Sequence, residues 1–291
     1  MDKFVNDLKQ NNQGSKSSGA KPLPLWADAI IRAVVWFTAT IGLMMGCGFV
    51  LDQLEFKVHW NLWLVMGEGA TLFTALIGTP IHELGHFIMC LIFGFHVEKV
   101  ELLRPFKYKE DGILGMVTFS ADYSNLWGQI GMFFVGIAPL IFGGLFILLV
   151  LKLLVPEAYN KADKLSDETW KEAKEWRGVK SGLAFVKGFV TGLFSIRGWG
   201  ILRAIISVYV ITSISMHMTY SSQDMENAMI GLAAVLLLYL IFGFITALLK
   251  VDKYLLDAIE VASGLIMFFM IGFVSDLLLL GISKILMLIF N

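Results

Sequence analysis

The chain has 291 residues, of which 57% are hydrophobic and only 16% are charged, and its mean hydropathy is +0.72. These values exclude an ordinary soluble domain and indicate an integral membrane protein. The net charge of −1 excludes a strongly basic nucleic-acid-binding surface, and only two cysteines, both in apolar runs, exclude a secreted disulfide framework.

The first 25 residues are rich in Ser, Gly, Asn and Lys and lack the apolar core of a signal peptide. We predict a disordered polar tail over 1–25 and a single polytopic membrane domain over 26–291. The lysines of the tail, and the many basic residues of 152–203, favour the cytoplasmic side of a cell membrane for both segments. That arrangement requires an even number of crossings between them.

Several apolar runs reach the roughly 20 residues that a helix needs to cross the hydrocarbon core. They cover 28–51, 61–95, 128–154, 199–218, 228–249 and 256–290. The second and the last are too long for one simple crossing, so each is either two helices or one broken helix. The pattern predicts an all-α integral membrane protein, a polytopic bundle of about six to eight transmembrane helices lying in the lipid bilayer.

Two polar segments interrupt these runs. Over 97–119, two β-prone stretches flank a Lys-Glu-Asp-Gly turn, which predicts a small β-hairpin at the membrane face. Over 160–180, Thr169 and Glu172 have the spacing of a capping box, which predicts a short helix at the interface. A simple solvated connector is the alternative for the second segment.

The run 61–95 contains the sequence HELGH at residues 82–86, just after Gly78-Thr79-Pro80. Proline suits the first turn of a helix, so we expect a break at 78–80 and a new helix that carries HELGH. On that helix His82 and His86 lie about 40° apart around the axis, and Glu83 lies about 100° from His82. Two imidazoles can then bind one ion, with Glu83 as the base that takes a proton from water, as in HExxH zinc hydrolases. The alternative is that these residues end a helix at the interface and bind nothing.

The extended signatures of soluble HExxH hydrolases are absent, since Met89 and Ile92 occupy the glycine and histidine positions of one of them. HELGH in an apolar helix, then a predicted hairpin, then GIAPLIFGG at 136–144, resembles the site-2 protease family of intramembrane metalloproteases. The resemblance implies a zinc-dependent endopeptidase that cleaves membrane-protein or peptide substrates. Ile141 and Phe142 depart from that family's alanine and asparagine, and Gly136 and Pro139 alternatively serve only to kink or thin a packed helix.

The resemblance also implies an aspartate as third zinc ligand, although the family's motif around that aspartate is absent. Asp224 is the best substitute, because it lies far downstream between two apolar runs. Ser221 and Asp224 could instead cap the following helix, and His217 is an alternative ligand or a partner of a ligand. Glu68 and His96 are not assigned to the metal.

The function predicted from the sequence is therefore membrane zinc proteolysis with His82, His86 and Asp224 as ligands and Glu83 as catalytic base. The alternative is a non-enzymatic membrane protein, such as a transporter subunit or regulatory partner, whose HExxH motif is silent or only binds metal. The sequence names no particular substrate and leaves the oligomeric state open.

Overall fold

The computed structural model of the protein describes residues 23–173 and 176–290. It is about 81% helical, which confirms the all-α class. The tail predicted for 1–25 lies outside the described residues except for its last three positions.

The elements follow one another with short connections. In chain order they are α1 (Leu25–Phe37), α2 (Leu43–Met66), α3 (Glu68–Phe93), β1 (His96–Glu101), α4 (Tyr108–Asp111), β2 (Met116–Ser120), α5 (Leu126–Leu154), α6 (Pro156–Glu172), α7 (Arg177–Leu193), α8 (Trp199–Ser215), α9 (Ser222–Leu248) and α10 (Tyr254–Phe290). A π-helical turn, Thr38–Gly42, joins α1 to α2 without interrupting the rod.

Within the described residues, five helical units are long and apolar enough to cross a membrane. They are the continuous α1–α2 rod (Leu25–Met66), α3, α5, α9 and α10. Helix α8 is also apolar but shorter, so the described residues contain five candidate spans, one fewer than the lower end of the predicted range, and one shorter apolar helix. The polytopic helical bundle is thereby confirmed.

Helix α5 is the central element of the bundle. Its Phe133, Ile137 and Leu140 have no exposed surface, and it packs against both α3 and α9. Because α5 packs tightly against a helix on each of two sides, it fixes the positions of α3 and α9.

The break expected at 78–80 is wrong. Helix α3 continues through Pro80, and the chain breaks instead at Gly67, whose φ of 61° suits glycine. At Gly78 the Ser213 hydroxyl of α8 enters the helical ladder: it accepts from the Gly78 N–H (2.9 Å) and donates to the Thr74 carbonyl. A neighbouring helix thus contacts backbone groups of α3 in the turn that precedes the proline.

The predicted hairpin is confirmed as an antiparallel pair of β1 and β2 with a bulge between Val97 and Lys99. It is not confined to the end of α3. Its one-turn helix reaches the start of α3, where Lys109 Nζ lies 3.5 Å from Glu68 Oε2, and Gly115 packs against Glu83 near the middle of α3. The hairpin therefore folds back along α3.

The capping box predicted at Thr169 is wrong. Thr169 lies in the last turn of α6, and its hydroxyl donates to the Leu165 carbonyl at 2.7 Å. The helix begins thirteen residues earlier, at Pro156, a residue suited to the first turn. Helices α6 and α7 form a closely packed pair in which Gly188 and Gly192 of α7 lie against α6.

Candidate metal centre

His82 and His86 lie one turn apart on α3, and both face into the bundle. Their side chains are 14% and 8% exposed. Their rings are nearly perpendicular, at 69°, and the two Nε2 atoms are 3.1 Å apart. The spacing predicted from the sequence therefore brings both imidazoles to one point.

Backbone carbonyls fix the orientation of both rings. His82 Nδ1 donates to the His217 carbonyl at 2.7 Å, and His86 Nδ1 donates to the Val135 carbonyl at 2.9 Å. Because a carbonyl can only accept, each ring carries its proton on Nδ1 and presents an Nε2 lone pair. Two Nε2 lone pairs that face each other cannot form a hydrogen bond, so the pair requires a cation or a further proton between them.

Asp224, at the start of α9, completes the group. Its Oδ1 lies 3.0 Å from His86 Nε2 and its Oδ2 lies 3.4 Å from His82 Nε2. Two ligand atoms that each lie about 2.0–2.1 Å from a tetrahedral zinc ion are about 3.3 Å apart. The three separations between the two Nε2 atoms and the carboxylate oxygens, 3.0 to 3.4 Å, are close to that value. The predicted contact between His86 and Asp224 is present, and the three side chains could hold a metal ion.

The capping role considered for Asp224 is also present. Ser221 Oγ accepts from the Asp224 N–H at 3.1 Å, and Asp224 Oδ2 accepts from the Ser221 N–H at 2.8 Å. This reciprocal capping box fixes the carboxylate in one orientation. Asp224 therefore caps α9 and contacts both imidazoles at the same time.

Helix α5 supplies the third wall through the segment that resembles the site-2 protease family. A proline has no N–H, so Pro139 leaves the Val135 carbonyl without its helical donor, and His86 uses that carbonyl. A Cβ on Gly136 would lie 2.4 Å from the Asp224 carbonyl oxygen, so only glycine allows α9 to approach this closely. Gly136 therefore serves close helix packing, and Pro139 leaves free the carbonyl that orients His86.

Glu83 faces a cavity of about 680 Å³ beside the metal centre. The side chain is buried, at 8% exposed, and a Cβ on Gly115 would lie 2.6 Å from Glu83 Cγ. The cavity walls come from α3, from the start of α9 and from β2, whose residues 116–119 all line it. One cavity thus connects Glu83, the side chains of His82, His86 and Asp224, and one edge of the hairpin.

The other residues considered from the sequence lie away from the metal-facing atoms. His217 contributes its carbonyl, and its Nδ1 donates to the Ser213 carbonyl at 3.1 Å. Glu68 pairs with Lys109, and His96 is exposed at the start of β1. His217 is therefore a hydrogen-bond partner of His82, but through its backbone carbonyl and not through its imidazole.

An ion-pair cluster stiffens the hairpin next to the cavity. Glu101 lies 2.9 Å from Lys99 Nζ and 3.0 Å from Lys107 Nζ. Hydrogen bonds from these lysines lower the pKa of Glu101 to about 2. Asp111 has its pKa lowered by the Ile113 N–H and by Arg104. These groups stay charged at neutral pH and stabilise the connection between β1 and β2.

Comparisons of the chain with protein-family models, curated proteins and solved structures found no match. The assignment of this site therefore rests on its own geometry and on the motif in α3.

Sequence reasoning missed the two carbonyls that orient the imidazoles, and it missed Gly115. The Val135 carbonyl had a detectable signal, because a proline four residues later frees a helical acceptor. The His217 carbonyl and Gly115 had none, since both contacts join segments that are distant in the chain.

Proposed function

We propose that the protein is an intramembrane zinc-dependent endopeptidase similar to the site-2 proteases. The observation that carries the proposal is the convergence of two imidazole Nε2 atoms and the Asp224 carboxylate at separations of 3.0 to 3.4 Å. His82, His86 and Asp224 would hold the ion, and three protein ligands leave a fourth position open, as in catalytic zinc sites.

When bound, zinc supplies Lewis acidity, which makes a coordinated water more acidic and polarises a substrate carbonyl. Glu83, in the same cavity, is the residue placed to take a proton from the attacking water. It then passes that proton to the leaving amine nitrogen as the peptide bond breaks. The Val135 and His217 carbonyls keep both imidazoles in the tautomer that presents Nε2.

The hairpin suggests how a substrate is held. Residues 116–119 of β2 line the cavity, and β1 occupies the other edge of β2. An extended peptide could pair with the open edge of β2, which would unwind a helical substrate and expose its carbonyls. This supports a membrane-protein or peptide substrate rather than a small soluble molecule.

Two imidazoles with one carboxylate also suit Fe²⁺ in oxygen-activating enzymes. The carboxylate of Glu83, adjacent in sequence to the first ligand, favours hydrolysis, because a proton acceptor beside the metal is what peptide hydrolysis needs. Metal analysis of the purified protein separates the two chemistries.

We also propose a location in the cell membrane with residues 1–25 in the cytoplasm, from the lysines of that segment. Three of the five candidate spans precede α6, and three is an odd number of crossings. The basic stretch 152–203 then lies on the opposite side from the tail, so the expected same-side arrangement requires that one of the three units does not cross. Labelling of single cysteines introduced in the tail and in α6 from each side measures this directly.

The decisive experiment purifies the full chain in detergent, measures bound metals and co-expresses single-span membrane proteins as candidate substrates. We expect about one zinc per chain and cleavage that is lost in Glu83→Gln while zinc is retained. Glu68→Gln, an exposed glutamate on the same helix, is the matched control and should cleave normally. Zinc without cleavage by the wild type would favour a metal-binding role without turnover, and absence of zinc would refute the proposal.

A further inference from the structure

A second group of buried polar side chains lies away from the His82–His86–Asp224 centre. Asp276 of α10 has no exposed surface, and no donor among the described residues hydrogen-bonds to either of its carboxylate oxygens. Ser215, the last residue of α8, is equally buried, and its hydroxyl has no partner in the same part of the chain. Unpartnered polar atoms in the interior of an apolar bundle are rare and mark functional positions.

Glu55 of α2 contributes a second carboxylate to this group. Its Oε2 accepts a hydrogen bond from Thr219 Oγ1. Helices α2 and α10 run alongside each other, with Leu51 beside Gly272 and Asn61 hydrogen-bonded to Ser283, so Glu55 lies at the level of Asp276. Among the described residues, neither carboxylate has a lysine, arginine or histidine within salt-bridge distance, although other buried ionic groups of the bundle, such as Arg32 with Asp28, are paired. The group therefore holds two carboxylates, and no cationic side chain among the described residues pairs with either of them.

Helix α10 packs closely against the end of α8 one turn from the carboxylate. Gly272 lies one turn before Asp276 on α10, and a Cβ there would lie 3.0 Å from Ser215 Oγ. Ser215 lies beside Gly272, one turn from Asp276, and neither polar group has a hydrogen-bond partner among the described residues. Two unpartnered groups thus lie close together where α8 and α10 pack.

We propose that Asp276, Glu55 and Ser215 bind a hard metal cation, Na⁺ or Ca²⁺, at a site separate from the zinc centre. Carboxylate and hydroxyl oxygens are the ligands that such ions prefer, and the absence of sulfur or imidazole donors disfavours zinc. The site lies where α8 ends and the chain turns into α9, and interrupted helices are a common place for cation sites within membranes.

The cation would connect three parts of the bundle that otherwise meet through few polar contacts. Asp276 belongs to α10, Glu55 to α2 and Ser215 to the end of α8. The Glu55 partner, Thr219, lies in the same connection as His217, whose carbonyl orients His82. Binding at this site therefore stabilises the connection on which the zinc centre depends.

Thermal unfolding of the purified full chain in detergent tests the proposal, with NaCl, CaCl2 or KCl compared against choline chloride at equal ionic strength. We expect Na⁺ or Ca²⁺ to raise the Tm saturably, because a ligand that binds only the folded state stabilises it. In Asp276→Asn the apparent affinity should fall about tenfold or more. Asp257→Asn, at an exposed position on the same helix, is the matched control and should respond as the wild type does.

Equilibrium binding of radioactive sodium or calcium gives a second readout that does not depend on unfolding. Ser215→Ala and Gly272→Ala serve if Asp276→Asn does not fold, and both should weaken binding. A wild type without saturable binding of either ion would overturn the proposal, since the two acids would then be balanced by protons or water only. Equal binding by wild type and Asp276→Asn would overturn it as well. His86→Ala should lose zinc and keep this cation, so the failure of one site is distinguishable from the failure of the other.

Discussion

Pro139 lies four residues after Val135 on α5, and its missing N–H leaves the Val135 carbonyl free to accept the Nδ1 proton of His86 at 2.9 Å. Pro139, fifty-three positions after His86 in the chain, thus decides which nitrogen of His86 faces the candidate metal site. Proline is costly within helices because it removes a hydrogen bond, and here a side chain from another helix uses the acceptor that is left.

Pro139→Ala tests this relationship. The new N–H at 139 would compete with His86 for the Val135 carbonyl, so the imidazole would be held less firmly. We expect zinc affinity to fall by roughly 10-fold, the smaller end of the range for loss of a hydrogen-bond partner of a metal ligand. Competition with a chromophoric chelator measures the affinity. Pro156→Ala, at the first turn of α6, is the control and should leave the affinity unchanged. An unchanged affinity in Pro139→Ala would show that the carbonyl holds His86 without help from the proline.

Gly78→Ala should damage both stability and metal binding. Its Cβ would lie 2.0 Å from the Ser213 carbonyl oxygen and 2.8 Å from His217 Cβ, so α3 and α8 would have to separate. We expect a loss of roughly 1–3 kcal/mol in the free energy of unfolding, typical of overpacking, and weaker zinc binding because the His217 carbonyl moves. Gly69→Ala on the same helix has open space around it and should be neutral or slightly stabilising. Equal melting temperatures for the two variants would contradict the packing described for α3 and α8.

Asp224→Asn separates the cap from the metal contact. The asparagine oxygen can still accept from the Ser221 N–H, so the capping box survives and the free energy of unfolding without metal should change by less than about 1 kcal/mol. The negative charge is lost, and we expect zinc affinity to fall by about 10-fold to 100-fold or more. Ser221→Ala is the reciprocal variant: it should cost about 1 kcal/mol of stability and affect zinc less. Full zinc occupancy in Asp224→Asn at low free zinc would exclude Asp224 as a ligand.

The ion pairs of the hairpin predict how its stability depends on pH. The pKa of Glu101 is lowered to about 2, so its contribution is fully present above the usual glutamate range near 4.5 and is lost as the pH falls toward 2. Hydrogen exchange in residues 96–120, corrected for the intrinsic rate, should therefore be constant from pH 7 to about 5 and should accelerate below about 4. Glu101→Gln should exchange faster at pH 7. Glu98→Gln, on the same strand and exposed, should match the wild type, and acceleration already at pH 6 would point to another group.

The sequence by itself determined the membrane class, the apolar helices, the hairpin and the two imidazoles one turn apart. Each of these depends on local periodicity or on a short spacing that a helix converts directly into geometry. It also proposed Asp224, but only as one of two candidates, because the choice between Asp224 and His217 depends on where the turn between α8 and α9 places each side chain.

The tertiary structure decided that turn. It placed the His217 carbonyl rather than its ring beside His82, and it let Asp224 cap α9 and face the imidazoles together. It also kept α3 continuous through Pro80, with the Ser213 hydroxyl of another helix bonded to the backbone at Gly78 and Thr74. Contacts between segments more than a hundred residues apart have no local signature, since the free energy that selects them comes from burying and pairing polar groups across the whole bundle.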